Sequence, residues 1–172
     1  MFNIVGAMFA DESEARQAMD ALIETPRING TTIYQISLVK RKDGKLKLCD
    51  NYTSDYLATD DALKGGVIGG LVGLLSGPIG VLLGETAGLL IGDAVETQKK
   101  HGSQDLIERV AQRLEEGHMA LIMSVEEADE GILDHMLVKY NTIVVRFDAE
   151  AIAKEVEEAE KRVQARAKRK NV

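Results

Sequence analysis

The chain has a single cysteine, Cys49, among its 172 residues. An intramolecular disulfide is therefore excluded, and a lone thiol fits a reducing compartment. The first residues also lack the basic region and the longer apolar core of a secretory signal. We therefore expect a cytoplasmic chain, with association at a membrane surface as the alternative.

Basic surface is also scarce. The net charge is −7 and the pI is about 5.1, whereas a general nucleic-acid binder needs cations to contact phosphates, so no nucleic-acid partner is expected. The exception is the stretch after Glu160, which holds six basic residues and no acid. These cations complement the dipole at the end of a helix. The alternative is a contact with anionic lipid, for which the candidate residues are Arg162, Arg166, Lys168, Arg169 and Lys170.

No set of residues has the types and spacing of a catalytic site or a metal site. The histidines His101, His118 and His135 are each 17 residues from the next, so they form no short metal-ligand pair. The run Lys64-Gly65-Gly66 lacks the ending of a phosphate-binding loop. The acidic run at 126–130 lacks EF-hand spacing and is explained by charge at a helix start. We therefore predict no enzyme activity, no catalytic residue, no metal and no cofactor.

Hydrophobic periodicity predicts an α+β domain. The apolar run Phe2 to Phe9 predicts a strand, and Asp11 with Glu14 has capping-box spacing ahead of a helix. Asp43-Gly44 marks a β-hairpin, and the apolar run Met119 to Val125 predicts a central strand. The further predicted elements are a helix over 103–114, a short helix over 129–138, a strand over 142–147 and a last helix capped by Asp148.

The order of these elements matches a ferredoxin-like antiparallel sheet with helices on one face. We divide the chain into the first half of this domain at 1–59, a glycine-rich helical hairpin inserted at 60–100, the second half at 101–148 and a charged C-terminal helix at 149–172. That last helix has an apolar seam, which suits either a coiled coil or packing on its own domain. The seam consists of Ile152, Val156, Ala159 and Val163.

The most informative pattern is a nearly uncharged segment with glycines on two four-residue ladders. Residues four apart share one face of a helix, so each ladder forms a groove that lets another backbone approach closely. Leucines make both helices apolar nearly all round, as expected for burial in protein or lipid. The predicted self-association or membrane contacts are Gly65, Gly69, Gly73, Gly77, Gly80, Gly84, Gly88, Gly92, Leu71, Leu75, Leu82 and Leu89.

Pro78 disfavours a helical conformation at Gly77, so the chain should turn between the ladders. Each helix then has roughly 13 residues and a length of about 20 Å, which is short of a hydrocarbon core of about 30 Å and excludes a two-pass membrane hairpin. Three structures stay open: a re-entrant or interfacial hairpin, a hairpin buried by other subunits, and a single span with separated halves. The flanking acids favour burial by other subunits; these are Asp60, Asp61, Asp93 and Glu96.

Four parts of the chain together resemble a bacterial family, domain of unknown function 1269. They are the hairpin Lys40 to Lys45, the glycine-rich insertion, the run Glu116 to Leu121 and the run Val125 to Asp129. Its members are often labelled predicted membrane proteins. The resemblance covers about Asn3 to Phe147. It implies a stress-related or envelope-linked protein and offers no catalytic residue to carry over. Families of this kind commonly have longer glycine-alanine insertions than this chain.

From the residues we expect a non-enzymatic, self-associating protein in which glycine-ladder hairpins pack between subunits, so the expected partner is a second copy of the chain. One alternative is a peripheral or re-entrant membrane protein that contacts a lipid bilayer through the hairpin and the basic C-terminus. The other alternative is a small-ligand sensor, since a ferredoxin-like sheet can serve as a binding scaffold.

Overall fold

One antiparallel sheet organises the chain. The computed structural model describes residues 1–43, 45–56, 68–69 and 114–171. Its elements, in chain order, are β1 (Phe2–Phe9), α1 (Glu12–Glu24), β2 (Arg27–Ile28), β3 (Thr31–Lys42), β4 (Lys45–Thr53), β5 (Met119–Glu127), α2 (Glu130–Leu137), β6 (Thr142–Asp148) and α3 (Ala149–Lys170).

The strands lie in the order β2, β3, β5, β1, β6, and β4 pairs with the outer edge of β3. Each described pairing is antiparallel. The central strands β1 and β5 are buried along nearly their whole length, which explains why both read as continuous apolar runs. The α+β class and the predicted central strand are confirmed. Because β5 lies between β3 and β1, the segments before and after the insertion share one sheet.

The local signals in the first third of the chain are confirmed. The side chain of Asp11 caps α1 by accepting a hydrogen bond from the backbone N–H of Glu14 at 3.1 Å. The Asp43-Gly44 loop joins β3 to β4 through the pair Lys42 and Lys45. A second hairpin, between β2 and β3, was not predicted. Its two loop residues, Asn29 and Gly30, both have positive φ, as a type I′ turn requires.

Helices cover both faces of the sheet. On one face α1 and α2 pack over β1, β3 and β5, with Leu22 and Leu133 among the buried residues. On the opposite face α3 packs through Ile152 and Val156, beside Ile4 of β1. The prediction of helices on one face is therefore right for α1 and α2, whereas α3 covers the other face. Of the two alternatives for the seam of α3, packing on its own domain is the one observed for Ile152 and Val156.

Candidate functional site

Most of the predicted glycine-ladder contacts lie outside the described residues. Gly69 is the one member of the set that the structure describes. The turn at Pro78 and nearly all of the helix predicted over 103–114 also lie outside. The members of the predicted set that are not described are Gly65, Gly73, Gly77, Gly80, Gly84, Gly88, Gly92, Leu71, Leu75, Leu82 and Leu89.

Two described residues flank parts of the glycine-rich segment, Ile68 within the first ladder and Leu114 after the second, and both contact the face of the sheet that α3 covers. Ile68 is 3% exposed and Leu114 is fully buried, in the same cluster as Ile122 of β5. The guanidinium of Arg41 donates to the carbonyl oxygen of Leu114 at 2.8 Å, and the backbone of Arg41 bonds with Gly117. Ile68 and Leu114 therefore both lie on the α3 side of the sheet.

Gly69 faces away from this core. It follows the buried Ile68 in a helical turn and is itself exposed. A Cβ added at Gly69 would have no atom of the described residues within 4 Å. Adjacent helical residues point about 100° apart, so Ile68 holds the turn on the sheet while Gly69 presents its bare backbone outward.

The second half of α3 projects from the domain. The side chain of Asp148 caps the helix by accepting from the backbone N–H of Ala151 at 2.9 Å. A helix of 22 residues is about 33 Å long. Of its described side chains, Val156 is the last that is buried, and Ala159 is only partly buried. From Glu160 to Asn171, each side chain that the structure describes is exposed.

Six cations lie on this projecting part. Lys161 pairs with Glu157 at 2.6 Å, and Arg162 lies 3.9 Å from Glu158. The hydrogen bond from Lys161 lowers the pKa of Glu157 below its ordinary value, and the same contact raises the pKa of Lys161. The structure gives no ion pair within the described residues for the last four cations, which are Arg166, Lys168, Arg169 and Lys170. We call the five candidate lipid-contact residues, Arg162 and these four, the basic end of α3.

A buried polar cluster joins β5, β6 and α2. The carboxylate of Glu127 has no exposed surface, and it accepts hydrogen bonds from Arg146 at 3.0 and 3.1 Å and from Asn3 at 2.9 Å. Arg146 also donates to Asp134 at 2.7 Å and to the carbonyl oxygen of Glu130. Burial lowers the pKa of Arg146, but its hydrogen bonds to Glu127 and Asp134 outweigh that effect and hold the pKa above the ordinary value.

This cluster corrects the sequence interpretation of the acidic run. Glu127 is not a solvated helix-start charge; that role belongs to Asp129, which accepts from the backbone N–H of Gly131 at 2.8 Å. Both oxygens of Glu127 are occupied by Arg146 or Asn3, so the carboxylate links β5 to β6 and β1. The period-2 pattern could have revealed it, because Glu127 continues the inward positions Met123 and Val125.

The remaining groups considered in the sequence are Cys49 and the three histidines. Cys49 is exposed on β4, with its thiol 3.7 Å from the carbonyl oxygen of Lys47. The imidazole of His118 lies 3.9 Å from Glu115, His135 is exposed in the last turn of α2, and His101 lies outside the described part. In that part no group of three or more His, Cys, Asp or Glu side chains could hold a metal ion. No helix among the described residues is both long enough and apolar enough to cross a bilayer.

These features define an α+β protein whose sheet is covered on both faces and whose glycine-rich segment lies between β4 and β5. The model of a family of proteins of unknown function, DUF1269, matches residues 62–163. The match covers more than half of the chain, so the chain belongs to this family. It begins later than the expected resemblance and extends into α3. Comparisons with curated proteins and with solved structures found no match.

Proposed function

We propose that this chain is a non-enzymatic protein that self-associates by packing its glycine-ladder hairpin against the hairpins of other copies. The observation that carries the proposal is the contrast between Ile68 and Gly69. The buried Ile68 fixes the start of the segment on the sheet, and the exposed Gly69 belongs to the first glycine ladder. A bare glycine backbone held outward is the surface that close helix packing requires.

The energetics of the segment support a partner. Ten glycines lie between positions 65 and 92, and each costs a helix about 1 kcal/mol relative to alanine. An isolated helical hairpin of this composition would be nearly melted. Packing against a second apolar, glycine-rich surface offsets that cost, because it adds close contacts along both ladders.

The scaffold that presents the hairpin is of the ferredoxin-like type. Two features support this: the strand order β3, β5, β1, β6, and the position of α1 and α2 on a shared face. In this arrangement β2 and β4 are additions at the β3 edge. The insertion joins β4 to β5, so it leaves the scaffold without interrupting the central pair β1 and β5.

The test is a double substitution, Gly69→Leu with Gly73→Leu, which fills the first ladder. Light scattering should show a smaller native mass than for the unmodified chain. The matched control is Glu150→Leu with Lys154→Leu, which adds the same pair of leucines to an exposed stretch of α3 without changing the net charge. The control should keep the unmodified mass. An unchanged mass in the Gly69 and Gly73 variant, with its circular dichroism intact, would refute the proposal.

One observation favours a second candidate, a peripheral membrane protein. Ile68, at the start of the apolar segment, and the first half of α3 belong to the same buried cluster, so both lie on the same side of the sheet. Cations next to an apolar segment suit a surface of anionic lipid. Sedimentation with vesicles containing about one third phosphatidylserine tests this. Binding that is lost in Arg166→Glu with Arg169→Glu would support the candidate, and absence from the vesicle pellet would exclude it.

A further inference from the structure

Charge is divided unevenly along the chain. Residues 161–172 carry six cations and no acid, so the remaining 160 residues carry 15 cations and 28 acids. The first part of the chain is thus strongly negative, whereas the end of α3 is strongly positive. Such a separation favours contact between unlike ends of different molecules, unless the chain can neutralise itself.

Acids of α3 do not neutralise the last four cations of its basic end, Arg166, Lys168, Arg169 and Lys170. The available acids, Glu157 and Glu158, already face Lys161 and Arg162. The last acid is Glu160, and a helix places residues three or four apart side by side. Arg166 and the residues after it therefore have no acid within helical reach. Three of the cations, Arg162, Arg166 and Arg169, are spaced four and three apart and so form one stripe.

The opposite face of the sheet bears the complementary surface. The outer sides of α1 and α2 carry carboxylates to which the structure gives no ion pair within the described residues. Asp20 and Glu24 are exposed one turn apart on α1. We call these carboxylates the acidic helix layer; they are Glu14, Asp20 and Glu24 of α1 and Glu130 of α2.

Nearby cations are already engaged. Arg16 and Lys40 both contact Glu12, at 3.3 and 2.8 Å. Arg146 is held by Glu127 and Asp134. Lys139 lies over the ring of Tyr140 at 5.1 Å. The acidic helix layer therefore keeps its negative charge at the surface.

A single chain cannot bring its two charged surfaces together. The acidic helix layer belongs to the face covered by α1 and α2, and α3 packs on the opposite face. Among the α3 side chains that the structure describes, Val156 is the last buried one, and the helix continues unbroken to Lys170. A continuous helix cannot turn around the edge of the sheet to reach α1.

We propose that the basic end of α3 in one molecule binds the acidic helix layer of a second copy. The contact joins two different surfaces, so it is heterologous and generates a ring or an open chain of molecules. It does not rest on the glycine ladders, because none of its residues lies in that segment. Both surfaces are exposed, so the contact is weakened by salt.

The test uses reversed charges in the full-length chain. One variant reverses the basic end with Arg166→Glu and Arg169→Glu, and the other reverses the acidic helix layer with Asp20→Lys and Glu24→Lys. The native mass of each is measured by light scattering at about 0.05 M and about 0.5 M salt, where screening is weak and strong respectively. We expect the unmodified chain to be heavier at low salt and each variant to lose that difference. An equal mixture of the two variants should regain it.

Recovery in the mixture excludes misfolding as the cause of the loss, because neither variant is repaired by the other unless their surfaces meet. A native mass that does not respond to salt in the unmodified chain would overturn the proposal. So would a salt response that both variants retain. If the reversed basic end instead abolishes binding to phosphatidylserine vesicles while the mass is independent of salt, the partner is a membrane and the proposal is wrong.

Discussion

The two faces of the sheet are covered in different ways. On one face α1 and α2 each follow the strand they pack against, and the buried cluster is closed by Glu127 with Arg146. On the other face the cover comes from α3 at the end of the chain and from Ile68 and Leu114. The helices that cover the first face are therefore each joined directly to a strand of the sheet. The second face is covered by residues that come from distant parts of the chain, and Ile68 and α3, which border the proposed glycine and lipid contacts, both lie on it.

The largest expected effect concerns the face of the sheet that α1 and α2 cover. Glu127→Ala should lower the free energy of unfolding by about 3 to 4 kcal/mol, because it leaves the largely buried Arg146 and Asn3 without their shared carboxylate. The control is Asp134→Ala, whose side chain is 53% exposed and should cost less than about 1 kcal/mol. Urea unfolding measures both. Equal losses for the two variants would mean that the cluster does not hold this face together.

The next effect concerns the face that α3 covers. Ile68→Ala should lower the free energy of unfolding by about 2 to 3 kcal/mol, since it opens a cavity beside Leu114 and Ile122. The control is Val138→Ala: Val138 is 74% exposed, so its truncation should change the free energy of unfolding by less than about 0.5 kcal/mol. A negligible loss for Ile68→Ala, again by urea unfolding, would show that the sheet does not need the insertion as cover.

The smallest effect lies on the projecting helix. Lys161→Met should raise the pKa of Glu157 toward its ordinary value, because the hydrogen bond and charge that lower it are removed. Because folding lowers the pKa of Glu157, the pair contributes to the stability of the folded state above the unfolded pKa. That stability is lost as pH falls through the folded pKa. Titration of the Glu157 carboxyl by NMR measures this. A pKa unaffected by Lys161→Met would show that the exposed pair does not form in solution.

The sequence predicted the elements whose signals are local. Asp11 and Glu14 marked the start of α1, Asp43 and Gly44 marked the turn between β3 and β4, and the apolar run of β5 marked a central strand. Each of these depends on residues that are close in the chain, where capping, turn geometry and burial act directly.

Other features depend on residues far apart. Glu127 and Arg146 meet only because β1 lies between β5 and β6, which no short window of sequence reveals. The face chosen by α3 could not be predicted, because its apolar seam fits a sheet or another helix equally well. The burial of Ile68 next to the exposed Gly69 likewise follows from the sheet and not from the spacing of glycines.

The central proposal is association through the glycine-rich segment. The most direct test is the native mass of the untagged chain at about 0.5 M salt, because contacts between exposed charges are screened at that concentration. Light scattering should give a multiple of the 18.8 kDa chain mass without detergent, and a lower mass for the chain with Gly69→Leu and Gly73→Leu. A mass of one chain for the unmodified protein, with and without detergent, would contradict association through this segment.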